Sequence, residues 1–331
     1  MRVSYPEYYK AFQCIAGACP DSCCKEWAVD VDPEAAAYYR QLSGDLGDRL
    51  RAVLKDGEHG AYMEIEDGRC PMWRQDSLCR IQAELGHDAL CKTCREFPRL
   101  RHDYGDFVEL GLELSCPEAA KFILSPEMQN VHTEELQELQ EPEYEPEIMT
   151  TLLQSRDAAL KLLNDPALSV PEALATLLLY GYEVQDEIDG GAPNDPDFTE
   201  NLNQAKQFAK EGNNTLFIDF FKDLEILTPL WKARLDNPAP GLWDHRFRLL
   251  AKYFVMRWWL QAVSDYDLVC RVKFLISGCL LVFLLGGDFM RTAQLFSKEI
   301  ENDLDNVEAL LDGAYTSPAL TDLNLLGLLL K

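Results

Sequence analysis

Cysteine is the residue type of this chain with the widest chemical scope, and its distribution is uneven. Of eleven cysteines, nine fall within the first 116 residues and two lie far beyond them. Thiolates are soft ligands that suit zinc and iron–sulfur centres. We interpret Cys270 and Cys279, which lie in strongly apolar stretches, as core residues. The nine candidate metal ligands are Cys14, Cys19, Cys23, Cys24, Cys70, Cys79, Cys91, Cys94 and Cys116.

The spacing of these cysteines allows several sulfurs to reach one centre. Cys91 and Cys94 stand three residues apart, so both sulfurs reach one side of a helical turn. Adjacent Cys23 and Cys24 point apart in regular structure, so they need a loop or different partners. Nine thiols could fill two four-sulfur sites with one left over. The spacings match no standard zinc finger, which uses two closely spaced pairs, but a structural zinc site stays open as the alternative metal.

The segment around Cys91 and Cys94 is the most basic short stretch of an otherwise acidic chain. Arg95 and Arg99 are our candidates for cofactor binding. A guanidinium group stabilises an anionic thiolate-bound cluster, and it can equally bind the carboxylate of a small cofactor. His102 follows closely, and we interpret it as a surface histidine, with a mixed metal ligand as the alternative.

The overall composition restricts the partners and the compartment. The chain has 331 residues, with 31 Lys and Arg against 56 Asp and Glu, and a net charge of -25. This balance argues against non-specific binding of nucleic acid and against docking on an anionic membrane. The longest apolar run, about 274–287, is shorter than the ~20 residues that span a bilayer. The first residues show no signal-peptide pattern, so we expect a cytoplasmic protein, where structural disulfides are uncommon.

The hydrophobic pattern predicts a mainly α protein: an irregular, cysteine-rich, metal-binding N-terminal region (1–125), an acidic linker (126–147) and a C-terminal helical domain (148–331). The linker is predicted because 132–147 holds seven glutamates, two prolines and no Lys or Arg. Apolar residues then recur every three or four positions. Helices are predicted at 33–42, 88–95, 151–163, 171–189, 198–211, 243–266, 268–285 and 289–311, with a short hairpin around 62–65.

The ordered set of cysteines, with the residues around them, resembles the flagellin lysine-N-methylase family, which shares a cysteine-cluster region with the wider CxxCxxCC proteins. The resemblance is sharp over residues 1–125 and looser in the C-terminal half, where Asp267-Leu268 precedes Arg271-Val272-Lys273. The matching stretches are Tyr5-Pro6-Glu7-Tyr8-Tyr9, Phe12-x-Cys14, Cys19-Pro20-Asp21-Ser22-Cys23-Cys24-x-x-Trp27, Cys70-Pro71-Met72, Leu78-Cys79-Arg80-Ile81-Gln82, Leu90-Cys91-x-x-Cys94-Arg95-x-x-Pro98-Arg99 and Leu114-Ser115-Cys116-Pro117-Glu118-Ala119-Ala120.

This resemblance implies a bacterial, cytosolic methyltransferase that methylates lysine side chains of flagellin. It further implies S-adenosylmethionine as the methyl donor and a cysteine-bound iron–sulfur cluster, of the [4Fe-4S] type. The cysteines carry over as cluster ligands, whereas no catalytic residue carries over. The glycine-rich turn of a Rossmann-like donor site is not visible in the sequence. Two alternatives stay open: a non-catalytic interaction protein that binds zinc or an iron–sulfur cluster, and an iron–sulfur redox protein.

Overall fold

The computed structural model describes residues 2–57, 60–135, 141–193 and 195–331, and they are mainly helical, as predicted. The strands are β1 (Arg2–Pro6), β2 (Val29–Val31), β3 (Leu54–Gly57), β4 (Gly60–Met63), β5 (Arg99–Asp103), β6 (Phe107–Leu112) and β7 (Val131–Glu135). The helices are α1 (Glu7–Ala11), α2 (Pro33–Gln41), α3 (Gly44–Val53), α4 (Arg80–Leu85), α5 (Lys92–Glu96), α6 (Pro117–Ile123), α7 (Pro146–Asn164), α8 (Val170–Ile188), α9 (Phe198–Phe208), α10 (Asn214–Lys222), α11 (Pro229–Asp236), α12 (Arg246–Trp258), α13 (Val269–Leu285), α14 (Phe289–Phe296), α15 (Leu304–Thr316) and α16 (Asp322–Leu330).

A four-stranded sheet, which the sequence did not predict, has the order β5-β6-β1-β7. Strand β1 runs parallel to β6, whereas the other pairs are antiparallel. Each strand has five or six residues, and apart from the neighbours β5 and β6 the partners are far apart in the chain, so no long alternating pattern indicates them. Because side chains alternate between the faces, Val3, Tyr5 and Val108 form a small apolar cluster on one face.

A smaller sheet with the order β2-β4-β3 packs with helices α2 and α3 around a second apolar cluster. Helix α2 begins where the sequence predicted, because the Asp32 carboxylate accepts a hydrogen bond from the Ala35 amide at 3.0 Å. The predicted hairpin is formed by β3 and β4, slightly earlier than 62–65. Residues 58 and 59, between those strands, lie outside the described residues.

The predicted C-terminal helices form, with two interruptions, whereas α10, α11 and α16 were not predicted from the sequence. The predicted helix 243–266 is α-helical to Trp258 and then continues as a 3-10 turn to Val263. The predicted helix 289–311 divides into α14, a π-helical segment (Ser297–Glu301) and α15. Asp303 separates the last two, because its carboxylate accepts from the Asn306 amide at 2.9 Å and starts a new helix. No described helix is long and apolar enough to cross a membrane.

The largest apolar core crosses position 125, where the sequence placed the end of the N-terminal region. Tyr8, Phe12 and Leu114 belong to the same buried cluster as the side chains of α7, α8, α12 and α13. The segment 126–147, predicted as a linker, contributes strand β7 to the four-stranded sheet and begins α7. Residues 136–140 of that segment lie outside the described residues.

A capping box at the start of α8 carries the first testable prediction. The Ser169 hydroxyl accepts from the Glu172 amide at 3.4 Å, and the Glu172 carboxylate accepts from the Ser169 amide at 2.9 Å. We expect Ser169→Ala to lower the free energy of unfolding by about 1 kcal/mol, measured by urea denaturation. Ser43→Ala is the matched control, because the Ser43 side chain makes no capping hydrogen bond at α3. Equal losses in the two variants would contradict the prediction.

Candidate functional site

A cavity of about 240 Å³ lies within the cysteine-rich N-terminal region, and Lys298 from the C-terminal half also lines it. Besides cysteines, its walls include the two predicted arginines, Arg95 and Arg99, together with Trp27 and Lys298. The structure therefore brings distant parts of the chain to one place. Seven of the nine predicted cysteines line this cysteine pocket: Cys14, Cys19, Cys23, Cys24, Cys79, Cys94 and Cys116.

Short helices and turns hold the cysteines in position. Cys79, Cys91 and Cys116 are the N-cap residues of α4, α5 and α6. The Cys70 amide donates to the Cys24 carbonyl oxygen at 2.8 Å, which joins two segments that are far apart in sequence. In this way, helix starts and a few backbone hydrogen bonds bring thiols from separate segments of the chain close together.

The thiols form two neighbouring sets, as shown by their electrostatic influence on one another. In the first set, burial raises the pKa of Cys70 to about 12, and the charges of neighbouring cysteines add to the rise. In the second set, burial raises the pKa of Cys116 to about 11, and Cys19 and Cys14 add to it. The first set is Cys24, Cys70, Cys79, Cys91 and Cys94, and the second is Cys14, Cys19, Cys23 and Cys116.

The adjacent pair Cys23 and Cys24 joins the two sets. The sequence predicted that these neighbours need a loop or different partners, and the structure places them in a turn, in different sets. A hydrogen bond from the Cys23 thiol lowers the pKa of Cys24 to about 7 and raises that of Cys23. Of the two thiols, Cys24 therefore loses its proton more readily, which favours both metal ligation and nucleophilic chemistry.

The metal-binding role of this region stays a prediction. Within the part of the chain that the structure describes, no group of three or more His, Cys, Asp or Glu side chains is arranged around one metal ion. All eleven cysteines are free thiols. The donor chemistry nevertheless fits an iron–sulfur cluster, because four cysteine thiolates are the usual ligands of such a cluster and each of the two sets supplies at least four.

Lys298 is a functional candidate that the sequence analysis missed. Its side chain is buried, and its Nζ lies 2.6 Å from Glu26 Oε2 and 3.4 Å from Asp21 Oδ1. The same ammonium lies 4.8 Å from the centre of the Trp27 ring. Burial favours the neutral form of Asp21, but Lys298 and Arg291 outweigh it and hold the pKa of that carboxyl below its usual value. The signal that the sequence offered was the charged run Lys298-Glu299-Ile300-Glu301, which directly follows the apolar residues Leu295 and Phe296 in a stretch predicted as helix.

The remaining predicted residues lie in two places. Arg99 stacks its guanidinium over the rings of Phe12 and Tyr9, at 5.3 and 5.8 Å. Arg95 lies at the exposed edge of the cysteine pocket. His102 was interpreted as a surface histidine or a mixed ligand, but the structure places it in a second cavity, with its Nε2 buried and without a hydrogen-bond partner.

Comparison with known proteins gives one group of relatives. The chain is 33% identical over 130 residues to the flagellar biosynthetic protein FliU of Salmonella muenchen. The aligned stretch covers 37% of this chain and 77% of FliU. It is 33% identical over 130 residues to a lysine-N-methylase of Salmonella typhimurium, covering 37% of this chain but 32% of that protein. A lysine-N-methylase of Salmonella choleraesuis is 34% identical over 131 residues, with 32% of its length covered.

These alignments span about a third of the two lysine-N-methylases and most of FliU. No protein-family model and no solved structure matches the chain. The alignment covers 77% of FliU at 33% identity, and the order of the cysteines in the sequence indicates the same family. The chain belongs to the flagellin lysine-N-methylase family, together with FliU and these lysine-N-methylases.

Proposed function

We propose that this protein transfers methyl groups from S-adenosylmethionine to lysine side chains of flagellin, with the help of an iron–sulfur cluster bound by its cysteines. The names of the relatives, lysine-N-methylase and flagellar biosynthetic protein, support the reaction and the flagellar connection. The observation that carries the proposal is the cysteine pocket, which gathers seven thiols and two arginines from separate segments around one cavity. Packing alone does not require such a collection.

The two sets of thiols would hold the cluster, and the arginines would balance its charge. A cluster bound by four thiolates is anionic, so Arg95 and Arg99 at the pocket wall favour its binding. When bound, the cluster would supply an open iron position or an electron next to the cavity. Cys24 and Cys91 are the thiols best prepared to bind iron, because neighbouring cysteines lower their pKa and a thiol must lose its proton to become a ligand.

The reaction sets a clear requirement on the lysine. The carbon–nitrogen bond forms as the methyl–sulfur bond breaks, the bonding pair returns to sulfur as a neutral thioether, and the nitrogen releases one proton. The lysine must therefore enter the step as a neutral amine, although its pKa in water is about 10.4. Partial burial beside an aromatic wall such as Trp27 lowers the pKa of a lysine by desolvation. The net charge of -25 favours the approach of a lysine-bearing surface.

Mass spectrometry of flagellin gives the direct test. Flagellin is incubated with this protein and S-adenosylmethionine, and we expect peptides whose lysines carry added methyl groups. Flagellin with previously acetylated lysines, and a reaction without the donor, are the controls and should remain unchanged. A non-catalytic interaction protein or an iron–sulfur redox protein would leave flagellin unmodified, and that result would refute the proposal.

The metal is tested separately on the purified protein. We expect bound iron and sulfide in chemical analysis, with the broad visible absorption of an iron–sulfur cluster. Zinc as the only metal, and a colourless protein, would replace the cluster with a structural zinc site.

A further inference from the structure

The wall of the cysteine pocket draws on both of the larger apolar clusters of the protein. Cys70 and Cys91 are buried in the smaller of the two, with side chains of β2, β4, α2 and α3. Cys116 is buried in the larger one, with side chains of α7, α8 and α12. Leu90 of the smaller cluster and Phe12 of the larger cluster both line the pocket. The relative position of the cysteines therefore depends on the contacts that join the two clusters.

One side of a C-terminal helical run makes such contacts. Arg291 and Gln294 in α14, and Lys298 and Glu301 in the π-helical segment, follow one another at steps of three, four and three residues. Such steps place side chains on one side of a helix. Gln294, Lys298 and Glu301 are 5% exposed or less. Buried polar groups are costly unless they are paired, so the partners of these side chains show what the run holds in place.

Gln294 is the residue of this run that contacts two cysteine-bearing segments at once. Its Nε2 donates to the Ser115 carbonyl oxygen at 2.6 Å and to Asp21 Oδ2 at 3.1 Å. Ser115 directly precedes Cys116, and Asp21 lies two residues before Cys23. A single buried amide group therefore ties the segment of Cys116 to the turn that carries Cys23.

The turn that carries the adjacent cysteines is held at both of its ends. Arg291 donates to Asp21 Oδ2 at 2.7 Å, and it also donates to Gln294 Oε1. The second contact orients the amide, because its oxygen faces a donor and its nitrogen faces two acceptors. At the other end of the turn, the Lys298 ammonium lies 2.6 Å from Glu26 Oε2. The helical run thus restrains this turn on both sides of its thiols.

The segment that ends at Cys116 has a second attachment to the same run. The Leu114 amide donates to the Tyr253 hydroxyl oxygen at 3.3 Å. That hydroxyl donates in turn to Glu301 Oε2 at 2.9 Å. Buried hydrogen bonds therefore connect both cysteine-bearing segments to one rigid element, from which each segment takes its position.

We propose that Gln294 is a positioning residue of the cysteine pocket, which acts through Asp21 and Ser115 to set the distance between Cys23 and Cys116. Both thiols belong to the second set, so this distance decides whether they can bind one metal centre together. The contacts of Gln294 stand by themselves, whereas their role toward a metal rests on the proposed function. Partners that orient metal ligands typically change metal affinity or activity by about 10–100-fold.

Alkylation of thiols in the full chain tests the proposal. Gln294→Met keeps the length of the side chain but removes both donated hydrogen bonds. We expect N-ethylmaleimide to modify Cys116 about tenfold faster in this variant, measured by mass spectrometry, because the segment opens more often. Cys70 of the first set is the internal reference, since it is 6% exposed and Cys116 is 8% exposed. We expect the rate at Cys70 to change by less than about twofold.

Gln185→Met is the matched control variant. The Gln185 Nε2 also joins a carbonyl oxygen to a carboxylate, because it donates to the Tyr266 carbonyl oxygen at 2.8 Å and to Asp189 Oδ1 at 3.1 Å. None of these three residues lines the cysteine pocket as the structure describes it. We expect Cys116 to react in this variant at the wild-type rate.

A second variant keeps the test valid if Gln294→Met fails to fold. Tyr253→Phe removes only the hydroxyl that accepts from the Leu114 amide. One lost hydrogen bond should have a smaller effect than two, so we expect about threefold faster alkylation of Cys116. The rate at Cys70 should again stay close to that of the wild type.

Iron content provides a readout that a general loss of stability would not change. We expect Gln294→Met to retain at least about twofold less iron per chain than Gln185→Met, when the two variants have similar Tm values. Equal iron in the two variants would overturn the role of Gln294 toward a metal.

The outcomes separate this proposal from the proposed function. Unchanged alkylation of Cys116 in Gln294→Met and Tyr253→Phe would overturn the positioning role, and so would an equal acceleration at Cys70 and Cys116. Selective acceleration at Cys116 in a protein that leaves flagellin unmethylated would remove the proposed function, while the positioning of Cys116 by Gln294 would stand.

Discussion

The double variant Cys91→Ala, Cys94→Ala is expected to lose lysine methylation and bound iron together. The two thiols belong to the first set, and a hydrogen bond between them lowers the pKa of Cys91 and raises that of Cys94. Loss of partners in the outer shell of a metal site already costs about 10–100-fold in affinity or activity, so loss of two ligands should cost more. Activity is measured on flagellin by mass spectrometry, and iron by chemical analysis and visible absorption.

The matched control makes the same chemical change away from the pocket. Cys270 and Cys279 are buried in α13, outside both sets of thiols. The double variant Cys270→Ala, Cys279→Ala therefore removes two thiols that only pack in the apolar core. We expect this control to keep its iron and its activity, with a modest loss of stability. Full methylation by the Cys91, Cys94 variant, or equal loss of iron in the control, would contradict a role of the first set of thiols as ligands.

Lys298→Met is expected to lower the free energy of unfolding by about 3 kcal/mol, because it leaves buried carboxylates without their cation. Lys298 is 1% exposed, and its ammonium contacts both Asp21 and Glu26. Asp21 keeps a second partner, because Arg291 donates a hydrogen bond to it at 2.7 Å. The loss of stability should therefore lie at the lower end of the range of about 3–5 kcal/mol that is typical when a buried ion pair is broken. Urea denaturation measures the change, with both proteins at equal iron content.

An exposed lysine of the same charge provides the comparison. Lys232 pairs with Asp236 at 3.1 Å on the surface of α11, and its side chain is 64% exposed. We expect Lys232→Met to change the free energy of unfolding by less than about 0.5 kcal/mol. A loss for Lys298→Met that does not exceed this value would show that the contact between the π-helical segment (Ser297–Glu301) and the cysteine segment contributes nothing to stability.

The double variant Lys298→Met, Asp21→Asn refines the same prediction. If the two side chains interact directly, removal of both charges should cost less than the sum of the separate losses. Additive losses would instead assign the effect of Lys298 to Glu26 and Trp27.

The sequence predicted the chemistry better than the architecture. Cysteine order and spacing identified the nine thiols, and the structure places seven of them around one pocket. Helix α2 and the long C-terminal helices also followed from local signals, such as the Asp32 cap and the spacing of apolar residues. The four-stranded sheet did not, because β1, β6 and β7 are short and each finds its partner far along the chain. Its register depends on long-range packing that no local pattern reports.

What the sequence by itself determined is the identity of the reactive groups and the regular helices, since both depend on residues close together in the chain. Only the tertiary structure decided that Lys298 contacts Asp21 across the protein, and that His102 belongs to a second cavity instead of the cysteine pocket. The reason is physical: burial, pairing and pKa arise from neighbours in space, and the chain brings those neighbours together only when its core forms.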